Sequence, residues 1–479
     1  MDFENNTIII WFFSMAVMVA AFVILALKTT PQIAIGFIVG VAFFVPVWII
    51  LPLLETPNNT IVASGIDVKL GVTAACLFLY CFMPGRTFPM RLVPSDFAMI
   101  GLTLIHFTSD LTNTGFSWMI IVRIYGEWFA AYVAGRLAFQ SLVFPENLWK
   151  TLAIASSILG VCAICESLFR FNVFEAIVGQ RPLEGVSRDA ARWGIRRAYG
   201  PTMHPIYFGG LQLILLAWPV YGMLQALRRK VGLGWLFLPI LPVLGICATG
   251  SRGPIVSLLF FVIALVFYQV KRSRVPVTIV ATLVLIVGSL NFYQIIERLD
   301  YWSGESRNAE RHKVEVDGKK MAMSSARSRI IMLEVYRIAI NRSGLIGYGT
   351  VATSGFPINV PISGQEYQTL RQVRFIDNAY VLLTLRFGYT GIVFFLVACI
   401  ACLWQFYYLT NEVDDKSIRQ LCSVLAAGLI SIYFLAATVW MPEDFGFPMM
   451  WTMGISSGLF RALLISRSKN RALAKLRSL

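Results

Sequence analysis

The chain has 479 residues, 57% of them hydrophobic and only 14% charged, with a mean hydropathy of +0.69. No soluble domain has enough polar surface to cover so much apolar side chain, so a soluble globular enzyme is excluded and an all-α polytopic integral membrane protein is expected. The net charge of +15 is not a nucleic-acid signal, because its inner share fits membrane topology and anionic lipid headgroups and its outer share sits in two long outer loops.

Apolar runs of roughly 20 residues, the length that crosses about 30 Å of hydrocarbon, recur from Ile8 to beyond Met453. They number about thirteen, within a range of about twelve to fourteen, and Leu70 to Phe82 is the weakest. The first run follows MDFENN, with no Lys or Arg and no small-residue cleavage pattern before Lys28, so a retained span is expected rather than a signal peptide. The eight cysteines, Cys162 and Cys165 and Cys399 and Cys402 among them, lie inside apolar runs and read as small hydrophobes rather than metal or redox centres. Pro46, Pro52, Pro219, Pro239 and Pro242 imply kinks. No internal repeat is visible, which weighs against a transporter.

Cytoplasmic connectors hold the excess of Lys and Arg. With the tail Arg467 to Arg477 placed inside, alternation also puts Lys28, Arg86 and Arg91, Arg136 and Lys150, Arg228 to Lys230, Lys271 to Arg274, and Lys416 and Arg419 inside. Residues 1–293 are then ten spans with an Arg-rich outer loop at 170–205. A large outer loop with amphipathic helices covers 294–379, three spans cover 380–465, and a basic inner tail covers 466–479. The first outer loop carries Arg170, Arg181, Arg188, Arg192, Arg196 and Arg197. It is a solvated loop or, more sharply, an anion site, because clustered guanidinium groups suit phosphate geometry. Inside the spans, His106 and Asp110, Arg123 and Glu127, and Glu166 and Arg170 each lie four apart. They are expected to pair on shared helix faces and to mark a polar cavity opening outward.

The turn Thr249 to Pro254 carries Gly250 and Gly253, read together as letting the backbone fold back tightly, and presents one cation, Arg252, at the interface. In the long outer interval Ser324 and Ser325 can cap a helix, Ile331, Val335 and Ile338 form its apolar stripe, and Gly344 stops it. Arg327 and Glu334 share another face. Arg329 sits in the first turn, where it opposes the helix dipole and suits a ligand phosphate drawn to the same N–H groups. Gly344 to Gly349, with Tyr348, is followed by a segment read as irregular loop to Arg374. Asp377 then stands before Asn378 at the mouth of the next span, as a helix N-cap or as a general base near arginines.

The turn TGSRGP, the segment YGPTMHPIYFGG (Tyr199 to Gly210), the stretch from Arg329 to SGLIGYG, and DNAYVLLTLRFGYTG (Asp377 to Gly391) together resemble the bacterial O-antigen ligase/polymerase family. The resemblance covers the C-terminal two thirds of the chain. It implies an inner-membrane glycosyltransferase with its active site facing the periplasm, whose donor is a glycan on undecaprenyl pyrophosphate and which needs no cofactor, nucleotide sugar or metal. Membrane lipids surround it, and a chain-length regulator and a flippase are its expected protein partners. By motif position Arg252 and Arg329 are similar to arginines associated with pyrophosphate binding, and Arg192, Arg196, Arg197, His204, Arg327, Tyr348 and Asn378 are the further substrate-contact candidates. Ligases of the family carry a His just before the Asn that opens the span, whereas this chain has Asp377. His204 and His312 are not clean substitutes, so a polymerase of O-antigen or exopolysaccharide repeat units is expected ahead of a ligase. Asp377 is then the expected base, with Glu443 and Asp444 in reserve. A polysaccharide transporter or flippase is the third alternative.

Overall fold

The computed structural model describes residues 3–52, 65–87, 91–143, 145–179, 191–192, 194–229, 232–291, 294, 298, 313–316, 319–322, 327–354 and 376–477. In chain order the N-terminal elements are α1 (Phe3–Lys28), α2 (Pro31–Ala42), β1 (Ile50–Pro52), β2 (Gly65–Asp67), α3 (Val68–Tyr80), α4 (Pro94–Thr114) and α5 (Trp118–Ile124). A π-helical turn, Tyr125–Phe129, leads into α6 (Ala130–Ala138), α7 (Glu146–Phe169), α8 (Val173–Val178), β3 (Ala191–Arg192) and β4 (Ile195–Arg196). Then come α9 (Pro205–Leu215), α10 (Ala217–Arg229), α11 (Gly234–Phe237), α12 (Ile240–Ala248), α13 (Arg252–Gln269) and α14 (Arg274–Leu290). The last elements are β5 (Lys313–Val316), β6 (Lys319–Ala322), α15 (Arg327–Arg342), α16 (Gly349–Ser354), α17 (Ala379–Glu412), α18 (Lys416–Ala436) and α19 (Glu443–Arg477). The six strands form three antiparallel two-stranded ribbons, with Ile50 opposite Asp67, Ala191 opposite Arg196 and Lys313 opposite Ala322.

The expected helical membrane architecture is present. Among the described residues six helical stretches are long and apolar enough to cross a membrane: Thr7–Lys28, Glu146–Phe169, Pro205–Arg229, Arg252–Gln269, Ala379–Glu412 and Lys416–Ala436. Other apolar runs counted in the sequence fold as shorter helices, Pro31–Ala42, Val68–Tyr80 and 234–248, and a helix of 12 residues reaches only about 18 Å.

Two devices hold the bundle without help from water. In the first, α6 and α19 cross with backbones in contact: a Cβ on Gly454 would stand 2.0 Å from the Tyr132 carbonyl, and one on Gly458 2.7 Å from that of Arg136. The pair is a Gly-xxx-Gly spacing, which lets helices approach where lipid supplies no hydrophobic drive. In the second, Arg136 Nη2 donates to Asp96 Oδ2 at 2.8 Å, while Tyr132 Oη and Ser457 Oγ each donate to Asp96 Oδ1 at 2.7 Å. A buried charge in an apolar medium is tolerated only with such saturation.

α17 is not one straight helix. Gly388 has φ +66° and ψ −168° inside it, and the ring centroids of Tyr380 and Phe395 lie 6.1 Å apart. A straight helix would separate those residues by about 22 Å, so the segment before Gly388 folds back along the one after it. The break frees polar groups at both new ends, and four of them have partners from outside the helix. Tyr389 N and Thr390 N donate to the carbonyls of Gly344 and Leu345 at 2.9 and 3.2 Å. The Leu385 carbonyl accepts from Tyr348 N at 2.8 Å, and the Arg386 carbonyl from Ser109 Oγ at 2.7 Å.

Helix α15 starts at Arg327 and stops before Gly344, which has φ +61°. Its buried stripe is Met332, Val335, Tyr336 and Ala339, packed on Val381, Leu382 and Leu385 of α17. That stripe shares Val335 with the expected one but is rotated from it: Ile338 is half-buried, because the folded-back segment of α17 sets which face is covered. The Ile331 side chain and residues 323–326 lie outside the described residues.

A Cβ added at Gly388 would stand 2.4 Å from the Leu345 carbonyl carbon, and the backbone there favours glycine. Gly388→Ala is expected to cost about 2 kcal/mol or more, read as a lowered thermal unfolding midpoint in detergent. Gly288→Ala, in α14 with open space around the added carbon, should leave stability unchanged or raise it by up to ~1 kcal/mol.

Candidate functional site

The turn between α12 and α13 forms because Gly250 takes φ +58°. Gly253, expected to share that task, is instead helical, and its missing side chain makes room for Leu435 and Thr438 of the α18 end, both 3.1 Å from where a Cβ would be. Two arginines of the 170–205 loop close on the turn. Arg192 Nη1 donates to the Gly250 carbonyl at 3.1 Å. Arg197 Nε donates to the Thr249 carbonyl at 3.1 Å, and its Nη2 to Ser251 Oγ at 2.9 Å. Arg252, half-buried, is the first residue of α13. The expected cluster thus gathers Arg192, Arg197 and Arg252 at one place. Arg196 departs from it: its guanidinium donates to the Arg170 carbonyl at the end of α7 and lies 6.0 Å from the Tyr199 ring.

The mouth of α17 reaches the same place. Asn378 Nδ2 donates to the Ala437 carbonyl at 3.0 Å, and Ala379 N to that of Val439 at 3.1 Å. Asn378, not Asp377, is the N-cap, and its Oδ1 accepts from Tyr380 N and Val381 N at 3.0 and 3.1 Å. A cap must reach the second and third helical N–H groups, and Asp377, half-buried, stands one residue too early. His204 caps α9 through Nδ1, which accepts from Ile206 N at 3.1 Å. Its ring is 5.1 Å from that of Tyr207, whose hydroxyl accepts from Trp440 Nε1. Behind this wall the reserve carboxylate Asp444 is buried with Lys69, at 1% exposure, and Asp67, two charged residues that the sequence reading missed. The signal was a lysine at the start of the weakest apolar run. The Glu443 side chain, like those of Arg327 and Arg329, lies outside the described residues. Tyr348 is buried at the Gly388 joint and donates from its hydroxyl to the Ala339 carbonyl at 2.9 Å.

The ionisable groups read in the spans sort differently from their spacing. His106 Nε2 and Asp110 Oδ2 do lie 3.3 Å apart. Trp128 Nε1 donates to His106 Nδ1 at 2.9 Å, so Nδ1 is the acceptor and Nε2 carries the proton towards Asp110. Arg123 faces Asp110 at 3.9 Å instead of Glu127, and Glu127 faces His106 at 3.8 Å and Arg386 at 4.0 Å. The π turn at Tyr125–Phe129 explains the exchange, because its wider winding takes Glu127 off the i, i+4 face of Arg123. Glu166 does not pair with Arg170, which ends α7 in the left-handed region at φ +57°. Its Oε2 accepts from Tyr199 N and Gly200 N at 3.3 and 2.9 Å. The His106 cluster clamps α16, since Asp110 Oδ1 accepts from Thr350 N at 2.6 Å and Arg386 Nε donates to Thr353 Oγ1 at 3.2 Å. Arg386 lies inside the quoted DNAYVLLTLRFGYTG stretch, and an arginine in an apolar run was the available signal.

Burial pushes the Asp444 carboxyl up to about 7, with Asp67 adding to the rise and Lys69 and the Met203 N–H opposing it. Burial likewise raises Asp67 against the pull of Lys69 and of the Leu70 N–H. A folded carboxyl that keeps a proton its unfolded form loses near ~4 stabilises the fold at low pH, and that contribution fades as pH rises through about 7. Stability is therefore expected to fall between about pH 4 and about pH 7, and Asp444→Asn, neutral at every pH, should flatten that slope in unfolding midpoints taken across the range.

No curated protein matches the chain. Residues 236–396 match the family model described as O-antigen ligase, a stretch of about a third of the sequence that holds the Gly250 turn, Asn378 and the joint at Gly388. That match supports an O-antigen ligase/polymerase-like family for the protein.

Proposed function

We propose that the protein is an inner-membrane glycosyltransferase that polymerises undecaprenyl-pyrophosphate-linked repeat units of an O-antigen or exopolysaccharide, with its active site facing the periplasm. The observation that carries this reading is the convergence of Arg192 and Arg197 on the turn that launches Arg252, beside the Asn378 mouth of α17. A lipid pyrophosphate leaves as an anion, so its departure needs positive charge more than a proton, and guanidinium groups held before reaction supply it. The acceptor hydroxyl gives its proton to Asp377 as its oxygen attacks the anomeric carbon. The bond from that carbon to the pyrophosphate oxygen breaks, and the diphosphate keeps the electron pair. Direct displacement inverts the anomeric centre. A glycosyl-aspartate intermediate would retain it.

The second reading is a ligase that moves a finished glycan to lipid A–core or protein, and the description of the matched family favours it. Asp377, where the family's ligases are expected to carry His, favours the polymerase.

Arg252→Ala and Arg197→Ala are expected to lower chain extension by on the order of 100-fold or more while the protein still inserts and accumulates. Normal extension by both variants would remove the pyrophosphate assignment. Gel analysis of lipid-linked glycans from a deletion strain separates the two readings, with single repeat units for a polymerase and long lipid-linked chains for a ligase. Purified protein lengthening lipid-linked repeats in detergent would exclude a flippase.

A further inference from the structure

The end of the bundle opposite Arg252, about 27 Å away along the 18 residues of α13, holds a cavity of about 130 Å³. It lies among the C-terminal ends of α13 and α17 and the first two turns of α18, with Gln269, Lys271, Thr410, Lys416, Arg419 and Ser423 in its wall. Three of these are cations, and among the described residues the wall carries no carboxylate. Of the acids near it in the chain, Asp415 Oδ1 accepts from Ser417 N at 2.7 Å as the cap of α18, Glu412 pairs with Arg467, and Asp414 is exposed.

Two donors in the wall are buried and meet no acceptor, Gln269 Nε2 and Arg419 Nε. Leaving such donors unmet is costly in an apolar setting. Ser423 Oγ donates to the Arg419 carbonyl at 2.8 Å and Thr410 Oγ1 to that of Tyr407 at 2.8 Å, and neither hydroxyl oxygen accepts from these two donors. What satisfies a guanidinium edge, an amide N–H and two ammonium groups together is one compact anion with several acceptor oxygens. The volume exceeds what a single water needs. The three helices that frame the cavity are all candidate spans, and it sits at their ends, the depth of lipid headgroups.

We infer that this cavity is a phosphate-binding site, occupied by the phosphodiester of an anionic phospholipid or by free phosphate. The inference stands apart from the proposed transferase activity, since it uses none of the Arg252 cluster.

Full-length protein in a nonionic detergent provides the test, with two probes at matched ionic strength. One arm compares phosphatidylglycerol with phosphatidylcholine in mixed micelles, the other sodium phosphate with sodium chloride, read by unfolding midpoint and by native mass spectrometry. A raised midpoint and retained adduct with phosphatidylglycerol alone assigns a headgroup site. The same protection from inorganic phosphate assigns a free-anion site. K271Q/R419Q should weaken the effective probe on the order of tenfold or more, whereas K28Q/R86Q, which removes two cations elsewhere, should not. Ser423→Leu, which fills the cavity and keeps every charge, should also lose the protection if K271Q/R419Q fails to fold. Protection by neither probe, equal weakening by K28Q/R86Q, or full protection in Ser423→Leu would overturn the site.

Discussion

The helix break at Gly388 is the constraint from which the arrangement of α15, α16 and α17 follows. A helix interrupted in apolar surroundings exposes N–H and carbonyl groups that no lipid can satisfy. Here the 344–348 segment and Ser109 supply partners for Tyr389 N, Thr390 N and the carbonyls of Leu385 and Arg386. The stretch SGLIGYG and the stretch beginning DNAYVLL are therefore two halves of one joint. The fold-back carries the capped start of α17 to the end of α18, and so to the turn that launches Arg252.

Charge is distributed in two modes around that joint. At the Gly250 turn, Arg192 and Arg197 donate to backbone carbonyls and one hydroxyl, which fixes their guanidinium groups in place. In the proposed transfer, such fixed positive charge is what would stabilise the leaving anion. Around His106, by contrast, carboxylates and guanidinium groups alternate within 4.0 Å of one another. The balance suits a clamp that orders the 349–354 helix against α4, and Thr350 is the residue it grips.

Sequence periodicity located much of this but could not orient it. The helix from Arg327 to Arg342, its glycine stop and the arginine-bearing turn at 249–254 are local properties, set by capping, turn chemistry and an apolar repeat. Which face of α15 is covered depends on α17, and so the buried stripe came out rotated. The pairing of Arg123 and Glu127 failed for a like reason, because a π turn is invisible to spacing rules that assume 3.6 residues per turn.

By itself the sequence determined the membrane class, the helical content and the arginine-bearing glycine turn, because apolar burial and glycine turns are written residue by residue. Only the tertiary structure decided that Arg192 and Arg197 share a turn with Arg252 while Arg196 does not. It alone decided that Asn378 caps α17, that Lys69 lies buried with Asp67 and Asp444, and that two connectors far apart in the chain enclose one cationic cavity. Those outcomes rest on contacts between residues tens to hundreds of positions apart, and such contacts are chosen by packing and by the need to satisfy every buried polar group, which no local pattern encodes.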